Sequence, residues 1–148
     1  MIIGDFRGPL KARMDKLDNL LANKTSLVLV GSSFGGVMGA VFAGKYPTRV
    51  KRLILLAPAL TFQEFKAHVN KRIHVPTMIV HGRMDDVVPM APVRQIARQV
   101  FTQLRFDQVE DDHVLTRTFP VLDWEILLKD QENEPYGDNP TRDDSSVI

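Results

Sequence analysis

The sequence predicts an α/β fold: a mainly parallel sheet with helices on both faces. Three observations carry this. Three uninterrupted apolar runs, Leu27–Val30, Leu53–Leu56 and Met78–Val80, are short enough for strands and carry no polar face. Strands buried on both faces, as in parallel sheets, have that character. The stretches between and around them repeat their apolar residues at helical spacing. Strand and helix alternate along the chain, the order of a parallel α/β sheet.

The elements follow in turn. Ile2 and Ile3 read as the end of a strand, broken by Arg7-Gly8-Pro9. Pro9 suits the first turn of a helix. Leu10, Met14, Leu17 and Leu21 recur at helical spacing, so a helix runs to about Asn23. The strand at Leu27–Val30 ends in Gly31-Ser32-Ser33-Phe34-Gly35, and a small-residue helix continues to Ala43 and stops around Gly44-Lys45-Tyr46-Pro47. Arg52–Ala57 is the second strand. Thr61–Arg72 is polar and reads as helical, with Phe62, Phe65 and Val69 on one side. Thr77–His81 is the third strand. Val93, Ile96, Ala97, Val100 and Phe101 mark an amphipathic helix, and Leu104–Val109 alternates like an edge strand. Phe119–Lys129 reads as a last helix with Val121, Trp124 and Leu128 on one side. No internal repeat is present.

The turn after the first run fits G-x-S-x-G with Ser33 at its centre. Between a strand and a helix this pattern is a nucleophile elbow. A serine hydroxyl is a weak nucleophile and needs an exposed oxygen with a base beside it. The tight turn lifts Ser33 out of the chain. Gly31 and Gly35 are expected to remove side chains where strand and helix come close, and Gly36 and Gly39 to let the helix pack tightly. The backbone N–H of Phe34, at the helix start, would point at a developing oxyanion.

Composition bounds the function. The 148 residues suit one domain, and 44% hydrophobic and 25% charged residues are ordinary for a globular chain. No run approaches the roughly 20 apolar residues of a membrane span, and the start lacks the basic and apolar regions of a signal peptide. There is no cysteine, hence no disulfide framework and no thiolate metal site. A cytoplasmic setting is expected. From Asp130 onward six acidic residues and one basic residue give −5, so Met1–Lys129 carries +6 of the net +1. The division is a folded domain over residues 1–129 and an acidic tail over 130–148 with almost no apolar residues, a disordered composition. Basic residues are scattered and few aromatics interleave with them, which argues for a solvated surface rather than a nucleic-acid surface. No membrane partner is expected.

In parallel sheets the functional loops lie at the carboxyl ends of the strands. Ser33, the pair Asp85 and Asp86, and His113 fall there. Their order is serine, acid, histidine. His81-Gly82-Arg83-Met84-Asp85-Asp86-Val87-Val88-Pro89 resembles the H-G-x-x-D-x-V-V-P segment of the α/β-hydrolase superfamily, and Asp111-Asp112-His113 follows the last strand, where that family keeps a histidine. From Asp5 to Lys129 the chain resembles small bacterial serine esterases and thioesterases. The resemblance implies Ser33 as nucleophile, His113 as general base and acid, and Asp85 rather than Asp86 as the group that orients His113. Each of these residues also has a plain alternative as a loop or surface side chain. His81 reads as structural, closing its strand with a ring hydrogen bond. His68 and His74 lie in a polar surface segment, and Asp111 and Asp112 read as solvated. The histidines and acids lack metal-ligand spacing, so neither metal nor cofactor is expected.

The family's earlier strands, and the glycine-containing loop that gives its second oxyanion donor, have no counterpart ahead of Ser33. Losing one donor costs about 2.7–4 kcal/mol of transition-state stabilisation. The sequence therefore reads as an N-terminally shortened serine hydrolase acting on an ester or thioester of a small acyl group. Its activity would be impaired, and homo-oligomerisation through the N-terminal sheet edge is expected. The alternatives are a binding or assembly module on the same fold, and a peptidase or carbon–carbon bond hydrolase.

Overall fold

A computed structural model describes Met1 and residues 4–129. Helix α1 (Leu10–Leu20) leads into β1 (Leu27–Ser32), α2 (Phe34–Lys45), β2 (Val50–Leu56), α3 (Gln63–His68), β3 (Thr77–Gly82), α4 (Met90–Val100), β4 (Leu104–Val109) and α5 (Trp124–Leu128). The four strands form one sheet in the order β1-β2-β3-β4, and every neighbouring pair is parallel. Parallel neighbours require a crossover, and α2, α3 and α4 supply the three. The α/β class and the parallel sheet are as the sequence predicts. The expectations for Ile2, Ile3 and the acidic tail lie outside the described residues.

The strand alternation explains the apolar runs. Successive side chains point to opposite faces. On β2 and β3, Leu53, Leu55 and Ile79 join a cluster with Val37 and Val41 of α2, Phe65 of α3, Val93 and Ala97 of α4, and Leu10, Met14 and Leu17 of α1. Their neighbours Ile54, Leu56, Met78 and Val80 face the other way, onto Leu115 and Leu127. Both faces are buried, so neither can be polar. All three crossover helices bury side chains in one cluster, while α5 covers the other face.

Three expectations change. The last helix is broken. A 3₁₀ turn at Phe119–Val121 is followed by a restart at Asp123, whose Oδ1 accepts the Ile126 N–H at 3.0 Å and caps α5. The restart rotates the apolar face, so Leu127 is buried while Val121 and Leu128 are exposed. In the Thr61–Arg72 stretch only Gln63–His68 is helical, and Phe65 alone of its apolar residues is fully buried. Gly35 is not a collision point: a Cβ there would meet nothing within 4 Å. The steric requirement falls on Gly31, whose Cβ would strike the Gly35 carbonyl, and on Gly36, whose Cβ would lie 2.6 Å from Pro58 Cβ. At Gly39 a Cβ would meet Leu55 at an ordinary 3.6 Å.

Candidate active site

The site lies at the carboxyl ends of β1, β3 and β4, where three loops converge. Ser33 closes β1 and caps α2, with φ 50° and ψ −114°. This is a sparsely populated conformation for a non-glycine residue, worth about 1–3 kcal/mol of strain. Neighbouring backbone holds it there. The Ser33 N–H donates to the Leu56 carbonyl at 2.9 Å, and its own carbonyl accepts from Gly36 at 3.1 Å and Ala59 at 3.0 Å. The end of β2 thus clamps the turn that begins at the end of β1.

Phe34 is the first helical residue of α2. At that position the backbone N–H has no acceptor within the helix, and it adjoins Ser33. Its ring is held edge-on by Phe62, with centroids 5.2 Å apart at 79°. The Arg13 guanidinium lies 4.3 Å from the ring centroid. Arg13 does not stand out from the sequence as a site neighbour.

Asp85 follows β3. Its Oδ1 accepts from the Val87 N–H at 3.0 Å and the Val88 N–H at 2.7 Å. Its Oδ2 lies 2.8 Å from Nδ1 of His113. The carboxylate only accepts, so Nδ1 carries the proton and Nε2 is left as an acceptor. Nε2 lies 3.1 Å from Ser33 Oγ, whose hydroxyl can donate to it. The Asp85 side chain is fully buried, while that of His113 keeps 17% exposure. Ser33, His113 and Asp85 are thereby brought together, and Asp86 points to solvent. This arrangement can remove a proton from Ser33 and stabilise the imidazolium that results.

His81 is fully buried on β3. Its Nδ1 donates to the Gly82 carbonyl at 3.2 Å, and Nε2 has no hydrogen-bond partner although Asp85 Oδ2 lies 3.8 Å away. Burial pushes its pKa below the ordinary 6.5, against the opposing pull of the Gly82 bond and the Asp85 charge. His81 is therefore a neutral ring lying behind the carboxylate.

Asp111 departs from the sequence reading. It is 3% exposed rather than solvated. Oδ1 accepts from Asp112 N–H at 2.9 Å, and Oδ2 accepts from Arg117 N–H at 3.0 Å and Thr118 N–H at 2.7 Å. Burial raises its pKa, but the bonds from Thr118, Asp112 and Arg117 outweigh this and hold the carboxyl below 3.8. A run of Glu110, Asp111 and Asp112 gives no linear signal for which carboxylate turns inward. Asp112 is exposed, and its side chain holds Val114 and Thr116. His68 and His74 are exposed and hydrogen-bonded to Glu64 and Thr102. Among the described residues no group of three or more His, Asp or Glu side chains is placed to hold a metal ion. None of the described helices is long and apolar enough to cross a membrane.

Comparisons with known proteins bear on the fold. Residues 10–68 match the alpha/beta hydrolase fold family. Over 50 residues the chain is 42% identical to the cis-3-alkyl-4-alkyloxetan-2-one decarboxylase of Shewanella oneidensis, a match covering 32% of this chain and 16% of that protein. A solved structure described as a predicted CIB-like hydrolase from Thermoplasma acidophilum is similar at TM-score 0.60 and 30% identity, over 72% of this chain and 52% of that one. An alpha-beta serine hydrolase homologue from Coxiella burnetii is similar at TM-score 0.59 and 27% identity, over 80% and 54%. The chain thus spans about half the length of these two structures and a small part of the decarboxylase. With its parallel sheet and the serine turn between β1 and α2, the chain has the alpha/beta hydrolase fold, and its first half, from α1 to α3, matches the model of that family.

Proposed function

We propose that the chain carries the catalytic centre of a serine hydrolase that cleaves an ester or thioester of a small acyl group. The observation that carries this reading is the continuous chain from Ser33 Oγ through His113 to Asp85, at 3.1 Å and 2.8 Å. His113 Nε2 takes the Ser33 proton as Oγ attacks the acyl carbon. The tetrahedral oxyanion meets the Phe34 N–H at the start of α2. His113 then passes the proton to the leaving alcohol or thiol, and an acyl-Ser33 ester remains. Water, deprotonated by the same ring, attacks that ester and releases the acid. Asp85 keeps the ring in the productive tautomer throughout.

The decarboxylase match directs one choice of substrate. An oxetan-2-one is a four-membered cyclic ester, so β-lactones belong beside aryl acetates and acyl thioesters in the assay panel. The expected partner is the small-molecule substrate.

The test is labelling with a fluorophosphonate followed by peptide mapping. Ser33 should be the modified residue, Ser33→Ala should abolish labelling, and His113→Ala should slow it severely. Modification of a different serine in the unsubstituted chain would sink the assignment.

A further inference from the structure

We propose that Asp111 is a positioning residue that aligns both partners of His113, its carbonyl holding the Asp85 turn and its carboxylate holding the His113 loop. The proposal rests on the Ser33–His113–Asp85 reading above and adds a residue that touches none of the reacting atoms.

On the acid side, the Asp111 carbonyl accepts the Met84 N–H at 3.1 Å, one residue before Asp85. The approach is so close that a Cβ on Gly82 would strike the Asp111 carbonyl oxygen and lie 2.7 Å from the Asp112 oxygen. Arg83 N–H reaches back to the Val109 carbonyl at 2.8 Å, so the two loops are laced together at their roots.

On the base side, the carboxylate of Asp111 spans the loop that contains His113. Oδ1 binds the N–H just before the histidine, and Oδ2 binds the N–H groups of Arg117 and Thr118 beyond it. One buried side chain thus ties both ends of the segment. Inside it, Leu115 takes a φ of 55° and is 1% exposed, packed into the cluster under β2 and β3. A leucine left to itself would not hold that conformation. The carboxylate, which offers only acceptors, matches these three donors, and an amide in its place would turn N–H groups toward N–H groups.

A mere loop brace would affect stability alone, so the test separates the two. Asp111→Asn should fold, label Ser33 about 10–100-fold more slowly, as a displaced base does, and lower kcat with little change in KM. Added imidazole should restore part of the labelling rate, because a diffusible base replaces a misplaced one. Asp123→Ala, which removes the α5 cap, serves as the destabilised control and should label at the unsubstituted rate. Thr118→Pro, at a φ of −81° that proline tolerates, removes the N–H and the hydroxyl that Thr118 turns to the carboxylate and should act in the same direction. If Asp111→Asn does not fold, Thr118→Pro carries the test. Normal labelling by the folded variant, or a loss that imidazole does not relieve and Asp123→Ala shares, overturns the proposal and leaves the hydrolase reading standing. Absence of Ser33 labelling in the unsubstituted chain overturns both.

Discussion

His113 Nε2 lies 3.1 Å from Ser33 Oγ across 80 residues of sequence. Nothing local joins the two. Ser33 is presented by the β1–α2 turn, whereas His113 hangs from the loop after β4, at the opposite side of the sheet order. Their meeting depends on the loops at the carboxyl ends of the strands leaning toward one another.

The first prediction concerns which carboxylate matters. Asp85→Asn keeps the shape but presents an amide to Nδ1 and favours the wrong tautomer. Its kcat on an aryl ester should fall by roughly 10⁴, the loss known for such replacements. Asp86→Asn, at an exposed position, should change kcat by less than about threefold, in line with surface substitutions. The opposite ranking in steady-state assays would place the orienting role on Asp86.

The elbow glycines should differ sharply from each other. Gly31→Ala drives a Cβ into the Gly35 backbone, which cannot move aside, and Gly36→Ala drives one into Pro58. Each should cost about 1–3 kcal/mol or more, read as a lowered urea midpoint. Gly35→Ala meets open space inside a helix and should be neutral or stabilise by about 0.5–1 kcal/mol. Equal losses at all three positions would count against the packing described for this turn.

Acid should destabilise the fold in two steps. Native His81 stays neutral because burial holds its pKa below 6.5, so as pH falls through 6.5 the unfolded chain takes up a proton that the native chain does not. Stability is then lost by up to about 1.4 kcal/mol per pH unit. Asp111 contributes stability above pH 3.8 that disappears as pH falls toward its lowered native value. Thermal melts from pH 8 to pH 2 should show both losses, with His81→Gln flattening the first and Asp111→Asn the second. A melting temperature independent of pH between 6.5 and 5 would contradict the buried neutral ring.

Among the described residues β1 pairs only with β2, which leaves its other edge open. Open edges template further pairing. The 148-residue chain should therefore self-associate, and sedimentation velocity should show a coefficient that rises with concentration. Val30 is 45% exposed on β1, and Val30→Lys should weaken the association. A concentration-independent monomer would end the idea.

Much of the fold was legible because its signals are local. An apolar run, a proline, or a glycine turn before small residues acts within a few residues, and the strands and most helices fall where these signals stand. Ser33 was legible for the same reason: the strained turn that exposes it is written in Gly31, Ser33 and the helix that follows. The roles proposed for Asp85 and His113 were readable only through resemblance to a family, because their partners lie far away in sequence. Other features belonged to the tertiary structure alone. Asp111 turned inward while Asp112 stayed out, since three backbone N–H groups in a closed loop compensate one buried carboxylate and the charge run cannot say which. The Asp123 cap broke the last helix and chose Leu127 over Leu128. Gly36 rather than Gly35 met the close approach, because Pro58, more than twenty residues on, is what it approaches. Periodicity and turn chemistry are short-range and survive in the linear sequence. Burial, collision and the satisfaction of polar groups depend on what the folded chain brings beside a residue, and only the packed structure decides that.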